Sequence, residues 1–430
     1  MVVFKFGGAS VKDADGFRNV ADIIRNHQGE DSLVVVVSAT GKTTNALEEV
    51  IDKKFMNTSD ALKELEKIRI SHQHIISSLG LDNEDTLQQL VHEHFVEAEW
   101  IIEETREMNY DYAYDQVIAI GELVSSRILE ATLKSSGINT SWVDARSLIR
   151  TDETWREGRV QWNITNDQIK DTCLPLLTQR KVIVTQGFIG STAENNTVTL
   201  GREGSDYTAA IISAALNARS MTIWKDVPGV LTGDPKVFDN VTKLDRLSFM
   251  EAIEMTYYGA KVIHPKTIQP LKNKNIPLNV RSFIEPQKDG TIIFGEIERE
   301  YPPIVVLERN QALIHFSSKD LSFIAEDHLA ELFKIFDQLR IKVNLMRNTA
   351  ISFTICASNQ RAKIAELQKK VEQQFSVIID PDLDLYTIRH CNETMLPKLL
   401  SEKIIILEER IRNTVQVVVK NAPDIVHKKH

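Results

Sequence analysis

A chain of 430 residues with 42% apolar side chains is long enough for two or three domains and too apolar for whole-chain disorder. Its formal charge of −9, from 51 basic and 60 acidic residues, speaks against a general nucleic-acid binder. The opening MVVFKFGGAS carries a lysine in a short apolar run with no cleavage-like pattern, so no secretory signal is read there, and the longest aliphatic run, 33–37, is far below the roughly 20 residues that cross a bilayer.

In chain order, residues 2–6 predict a strand, followed by glycines and an amphipathic helix over 13–26. Residues 33–37 are uninterrupted aliphatic, as in a strand covered on both faces. A small-residue turn leads to a helix from about Thr44. Residues 60–109 read as a pair of charged helices, 115–136 as one further helix and 141–144 as a strand. Strands at 181–186 and 220–224 flank an Ala- and Ile-rich helix over 206–216. This alternation predicts an α/β domain with a mostly parallel sheet, whose ligands bind beyond the carboxyl ends of the strands. Residues 286–303 mark a boundary. Beyond it, strands at 304–308, 312–317, 351–357, 376–379, 385–389 and 415–419 and helices at 324–339, 361–375 and 396–400 form β-α-β-β patterns of ferredoxin-like α+β modules. Cys173, Cys356 and Cys391 have no paired or metal-like spacing and read as thiols of a reducing compartment. The polar end, 421–430, reads as a frayed tail.

Polar, glycine-rich segments follow the predicted strands. Lys5 precedes Gly7, Gly8 and Ser10, a pattern in which paired glycines let backbone N–H groups approach a phosphate beside a fixed positive charge; an ordinary turn is the competing account. Gly41-Lys42-Thr43 is no Walker motif, since Val36 stands where that motif needs glycine. Ser38, Thr43, Thr44 and Asn45 form a hydroxyl-rich cluster suited to a small polar substrate or to a helix cap. Arg202, between Gly201 and Gly204, offers a bidentate fork for a carboxylate, with Ser205 and Asp206 at a helix start. The loop from Lys225 and Asp226 to Lys236 is either a tight connector or a wrap for an adenine ring, and Lys261 is another cation or a surface lysine. Glu122 is either a favourable charge in a first helical turn or the partner of an ammonium group. His72/His74 and His92/His94 lie in helical stretches where alternate residues diverge, and no acidic or cysteine cluster supports a metal site there.

The set of motifs resembles the aspartate kinases within the amino-acid kinase family. They are KFGGASV at 5–11, VVVSATGKTTN at 35–45, GE at 121–122, VDAR at 143–146 with IRTDE at 149–153, TQGFIGS at 185–191, GREGSDYTA at 201–209, WKDVPGVLTGDP at 224–235 and YYGAKVIHP at 257–265. The resemblance implies a three-layer amino-acid kinase domain at 1–298, a first regulatory ACT-type module at 304–375 and an abridged second one at 376–425. It implies transfer of the γ-phosphoryl group of ATP to the side-chain carboxylate of L-aspartate, in the cytoplasm, by a homodimer joined through its ACT-like modules, with no membrane or nucleic-acid partner. Lys5 and Asp206 would be the catalytic pair. Ser38, Thr44, Glu122, Arg202 and Ser205 would hold aspartate, Arg202 on the α-carboxylate and Glu122 on the ammonium. Gly7, Gly8, Ser10, Lys225, Asp226, Lys236 and Lys261 would hold ATP, and Mg²⁺ would ride on nucleotide phosphates and water rather than on a compact protein motif. A carboxylate acceptor is already ionised near neutral pH, so the reaction needs no general base. The alternatives are a kinase of the same fold for glutamate, acetylglutamate or another small acid, and an amino-acid-sensing homologue without turnover.

The chain departs from the family's pattern mainly in its regulatory part. Asp327-His328-Leu329-Ala330 replaces a glycine-containing helix start, Asn344 follows Val343 where an aspartate is usual, and Ala350 stands where an acid is expected. The last two changes remove carboxylates that would meet an effector's amine. Glu203 replaces a common glycine beside Arg202, and Leu231 a frequent tyrosine.

Overall fold

The computed structural model describes residues 1–27, 32–105, 107–260, 263–295, 300–319, 322–392 and 395–421. The chain forms two units, one built from 1–230, 243–253 and 263–295, the other from 231–242, 254–260 and 300–421. The predicted frayed tail lies outside the described residues apart from Asn421.

The strands of the first unit are β1 (Val2–Phe6), β2 (Leu33–Val37), β3 (Thr140–Val143), β4 (Val182–Gln186), β5 (Ile189–Ser191), β6 (Thr197–Thr199), β7 (Ser220–Lys225), β8 (Arg246–Leu247), β9 (Leu278–Ser282) and β10 (Thr291–Ile293). Eight of them form one sheet in the order β3-β4-β2-β1-β7-β9-β10-β8. From β3 to β9 every neighbouring pair is parallel, and only the β9–β10 pair is antiparallel. Parallel strands need crossovers that cover both faces, which is why β1 and β2 are buried along their whole length. Strand alternation divides β1: Val2, Phe4 and Phe6 enter the core shared with α1 (Ala14–His27), whereas Lys5 points the other way, to Asp206.

The further helices before residue 295 are α2 (Thr43–Lys54), α3 (Thr58–Leu79), α4 (Asp85–Glu103), α5 (Tyr110–Ile118), α6 (Ile120–Ser135), α7 (Ala145–Leu148), α8 (Trp162–Thr178), α9 (Gly204–Ala215), α10 (Phe249–Tyr257) and α11 (Pro265–Asn273). The helix predicted over 115–136 is two helices, α5 and α6, which meet at Ala119; its run of apolar and small residues hid the break. Helix α8 escaped prediction because its buried side chains form a narrow stripe, Thr165, Ile169, Cys173 and Leu177, interrupted by Pro175.

In the second unit β11 (Ile304–Ser318), β12 (Val343–Asn348), β13 (Ser352–Ser358), β14 (Phe375–Arg389), β15 (Lys403–Ile411) and β16 (Thr414–Asn421) make one antiparallel sheet, ordered β12-β13-β11-β14-β16-β15. Helices α12 (Glu326–Gln338) and α13 (Arg361–Val371) pack one core cluster against it, and the short α14 (Met395–Leu399) another. The two short strands predicted at 304–308 and 312–317 are the single strand β11, and those at 376–379 and 385–389 are the single strand β14. Their polar interruptions bend the strands instead of ending them. Asn310 and Asp382 take left-handed φ of 54° and 58° where the β11–β14 register shifts, and the Asn359 side-chain amide donates to both, at 3.1 and 2.9 Å. Phe375, expected as the last residue of a helix, begins β14.

Candidate active site

The carboxyl ends of β1, β2 and β7 and the start of α9 meet at a cavity of about 570 Å³. Polar segments that follow separate strands in sequence are thereby brought together, as expected at the open edge of a parallel sheet. Lys5, Gly7, Gly8 and Ser10 line it from β1 and the turn after it, and Ser38 and Thr44 from beyond β2. Glu122 reaches it from α6, Arg202, Ser205 and Asp206 from the start of α9, and Lys225 and Asp226 from the end of β7. Lys236 belongs to the second unit and is not among the described residues that line the cavity. Lys261 lies outside the described residues.

The loops after β1 and β2 interlock. Gly41 N–H donates to Gly8 O at 3.0 Å, and a Cβ on Gly8 would stand 2.7 Å from Ala39 O, so only glycine fits there. The loop after β4 closes equally tightly on α9, since a Cβ on Gly187 would stand 2.4 Å from Ser205 Cβ. The positive dipole end of α9 therefore opens on the cavity from a fixed position, with the Gly204 N–H bonded to Gly201 O at 3.0 Å and the Asp206 N–H to Glu203 O at 3.0 Å. Glu203 precedes the helix in a left-handed conformation, φ 54°, which a glycine would take without strain.

A buried ion pair and a buried carboxyl dominate the electrostatics. Lys5 Nζ lies 2.6 Å from Asp206 Oδ1, with side chains 11% and 4% exposed. Glu122 is buried, and its Oε1 accepts the Ala39 N–H at 3.2 Å. Its Oε2 has no hydrogen-bond partner among the described residues. Burial pushes its carboxyl up to about 8, against the pull of the Ala39 N–H and the Lys5 ammonium. A buried carboxyl that lines a cavity, with one oxygen unbonded among the described residues, is suited to receive a cation.

Sequence reasoning missed Tyr114, Arg156, Phe188, Thr199 and Trp224, which also line the cavity. Arg156 stacks over the Tyr114 ring at 4.2 Å, and its Nη1 lies 3.2 Å from Asp111 Oδ1. Its backbone N–H donates to Asp115 Oδ2 at 2.8 Å, while the Thr199 hydroxyl donates to Asp115 Oδ1 at 2.6 Å. Burial raises the Asp115 carboxyl to about 6, opposed by these donors. Trp224 stacks against Phe6 at 5.9 Å. Tyr114 lies one residue before the helix predicted over 115–136, and Arg156 in a loop read only as far as residue 153.

Among the described residues no group of three or more His, Cys, Asp or Glu side chains could hold a metal ion, and no helix is long and apolar enough to cross a membrane. His72 and His94 are buried in α3 and α4, with the His72 Nδ1 bonded to Ile68 O at 2.8 Å, so these helices use histidine for packing.

A cavity with a helix N-terminus, a lysine at a strand end and a buried carboxyl suits a phosphotransferase for a small charged acceptor. Residues 1–282 match the profile of the amino acid kinase family. The lysine-sensitive aspartokinase 3 of Escherichia coli K12 is 33% identical over 361 residues, 83% of this chain and 78% of that protein. Two crystal structures of E. coli aspartokinase III, one with lysine and aspartate and one with aspartate and ADP, superpose with a TM-score of 0.81 at 27% and 28% identity, covering 97% of this chain and 96% of theirs. The chain belongs to the amino acid kinase family, and within it to the aspartokinases, phosphotransferases with a carboxyl group as acceptor.

Proposed function

We propose that the cavity transfers the γ-phosphoryl group of ATP to the β-carboxylate of L-aspartate, giving ADP and 4-phospho-L-aspartate, the first step of lysine, threonine and methionine synthesis. The observation that carries this reading is Glu122, a buried carboxylate without a cation in the same cavity as the Lys5–Asp206 pair. It suits the ammonium of an amino acid, while Arg202 suits the α-carboxylate. The β-carboxylate then lies toward Lys5 and attacks the γ-phosphorus in line; the new P–O bond forms as the bond to the departing ADP oxygen breaks. Asp206 orients the Lys5 ammonium, which stabilises charge on the transferring group, while the glycine turn supplies N–H donors and the start of α9 its positive dipole end. The Asp206 and Asp226 carboxylates are hard oxygen donors that fit Mg²⁺ arriving with the nucleotide, which would neutralise phosphate charge there. Gly7, Gly8, Ser10, Lys225 and Asp226 hold the nucleotide in this reading; Lys236 and Lys261 are kept as candidates by resemblance alone.

The test is ADP release with aspartate, glutamate, acetylglutamate and homoserine, with hydroxylamine present to trap an acyl phosphate. Aspartate-dependent release with hydroxamate formation is the expected result. Release with another acid would move the specificity, and no release with any acid would leave a sensing protein.

We further assign 1–298 to catalysis, 304–375 to a first ACT-like module and 376–425 to an abridged second one, and place the enzyme in the cytoplasm, where free cysteines such as these persist. The five residues of α14, against 13 in α12, support the abridged second module. At the Asn344 position the side-chain amide donates to Gln311 Oε1 at 2.9 Å, a structural role that needs no effector. We also propose a homodimer joined edge to edge through this unit. The terminal strand β15 supports it by exposing Ile404, Ile405, Ile406 and Ile411. Light scattering at assay concentration is expected to give twice the 48.8 kDa chain mass, and the single-chain mass would refute the pairing.

A further inference from the structure

We propose that Arg156 is a second guanidinium of the acceptor subsite and sets the length of the acid that the enzyme accepts; the proposal rests on the aspartate kinase reading above. An amino dicarboxylate brings three charged groups to the cavity. The reacting carboxylate belongs beside Lys5, and the ammonium beside Glu122. One carboxylate remains, and two guanidinium groups line the cavity, those of Arg202 and Arg156. Arg202 is exposed on the loop before α9, whereas Arg156 is held in place. The Tyr114 ring supports its guanidinium from one face at 4.2 Å, and Asp111 engages Nη1 at 3.2 Å. A guanidinium carries five N–H donors in a rigid fork, so a single carboxylate on Nη1 leaves most of the fork for an anion.

The backbone supplies a second, independent observation. Arg156 sits at φ 67°, a conformation that costs an L residue about 1–2 kcal/mol and that glycine takes freely. It is pinned there by its own N–H, which donates to the buried Asp115. An arginine in a left-handed position, stacked and ion-paired at the wall of the active site, is strain held where a side chain is needed. In this proposal the ammonium at Glu122 and the remaining carboxylate at Arg156 hold the α-carbon, so one added methylene would carry the reacting carboxylate off the line of attack.

The strained backbone makes the test clean. R156G removes the guanidinium but keeps the N–H to Asp115 and relaxes φ, so its thermal midpoint is expected at or above that of the wild type. Its KM for aspartate should rise about 10- to 100-fold, the range for losing a charge-assisted hydrogen bond, with kcat within about threefold and KM for ATP unchanged. R156Q should raise KM for aspartate alike, without the relaxation of φ. R156K should restore little, because an ammonium lacks the fork. The kcat/KM preference for aspartate over glutamate should narrow in all three. Folded R156G and R156Q with an unchanged KM for aspartate would overturn the proposal, as would an equal rise in KM for ATP. Wild-type enzyme assayed in parallel separates the two readings: no aspartate-dependent turnover there sinks the functional assignment, whereas unaltered variants beside an active wild type sink only the role of Arg156.

Discussion

Replacing Lys5 by methionine is expected to lower kcat by about 10³-fold, the scale measured when a single preorganised donor is removed from a developing charge. The same change should cost stability. Lys5 and Asp206 pair at 2.6 Å with little exposure, and removing one member leaves the other charged and buried, a loss of about 3–5 kcal/mol in such pairs. The two effects can be separated. K5M/D206N takes away both charges, so its denaturation midpoint should recover most of the loss while its turnover stays as low as that of K5M. Steady-state kinetics and urea melts on the three proteins check this. Turnover in K5M within tenfold of wild type would remove Lys5 from the chemistry. A double variant no more stable than K5M would mean that Asp206 is not stranded when its partner goes.

The site was legible in the sequence to the extent that its residues follow strands. Lys5, Ser38 and Lys225 stand at the ends of aliphatic or aromatic runs, and a parallel sheet must bring such ends to one edge. Burial on both faces makes those runs conspicuous. Three of the missed residues come from elements without such a marker. Tyr114 lies on α5, and Thr199 ends the three-residue strand β6. Arg156 lies in a loop where its left-handed φ is a property of the fold and not of the residue type. In the second unit the same limit appears as β15. Its Ile404–Ile406 run lacks the alternation of a half-buried strand because the strand is exposed along most of its length. The bends at Asn310 and Asp382 read as strand ends because polar residues usually end strands; here a third residue, Asn359, satisfies both and lets the strands continue.

Glu122 gives the second large effect, and its sign can be worked out from burial. In the free enzyme its carboxyl titrates at about 8, so at pH 7 it is mostly protonated. An ammonium placed against it favours the ionised form, and binding of aspartate at pH 7 should therefore release close to one proton per site. Calorimetry in buffers of different ionisation heat measures that number directly. E122Q should release none, and its KM for aspartate should rise about 100-fold with KM for ATP unchanged. Stability should move the other way. Between its ordinary range and pH 8 the native carboxyl keeps a proton that the unfolded chain has lost, so this group's contribution is full below about 4.5 and disappears as the pH rises to 8. E122Q has no such slope. Its advantage over the wild type in the absence of ligand should grow between pH 5 and 8, to on the order of 4 kcal/mol. The wild type would thus hold a destabilising carboxyl that only its substrate relieves. A binding enthalpy for aspartate that does not depend on the buffer at pH 7 would take the ammonium away from Glu122, and with it the observation on which the choice of an amino acid as acceptor rests.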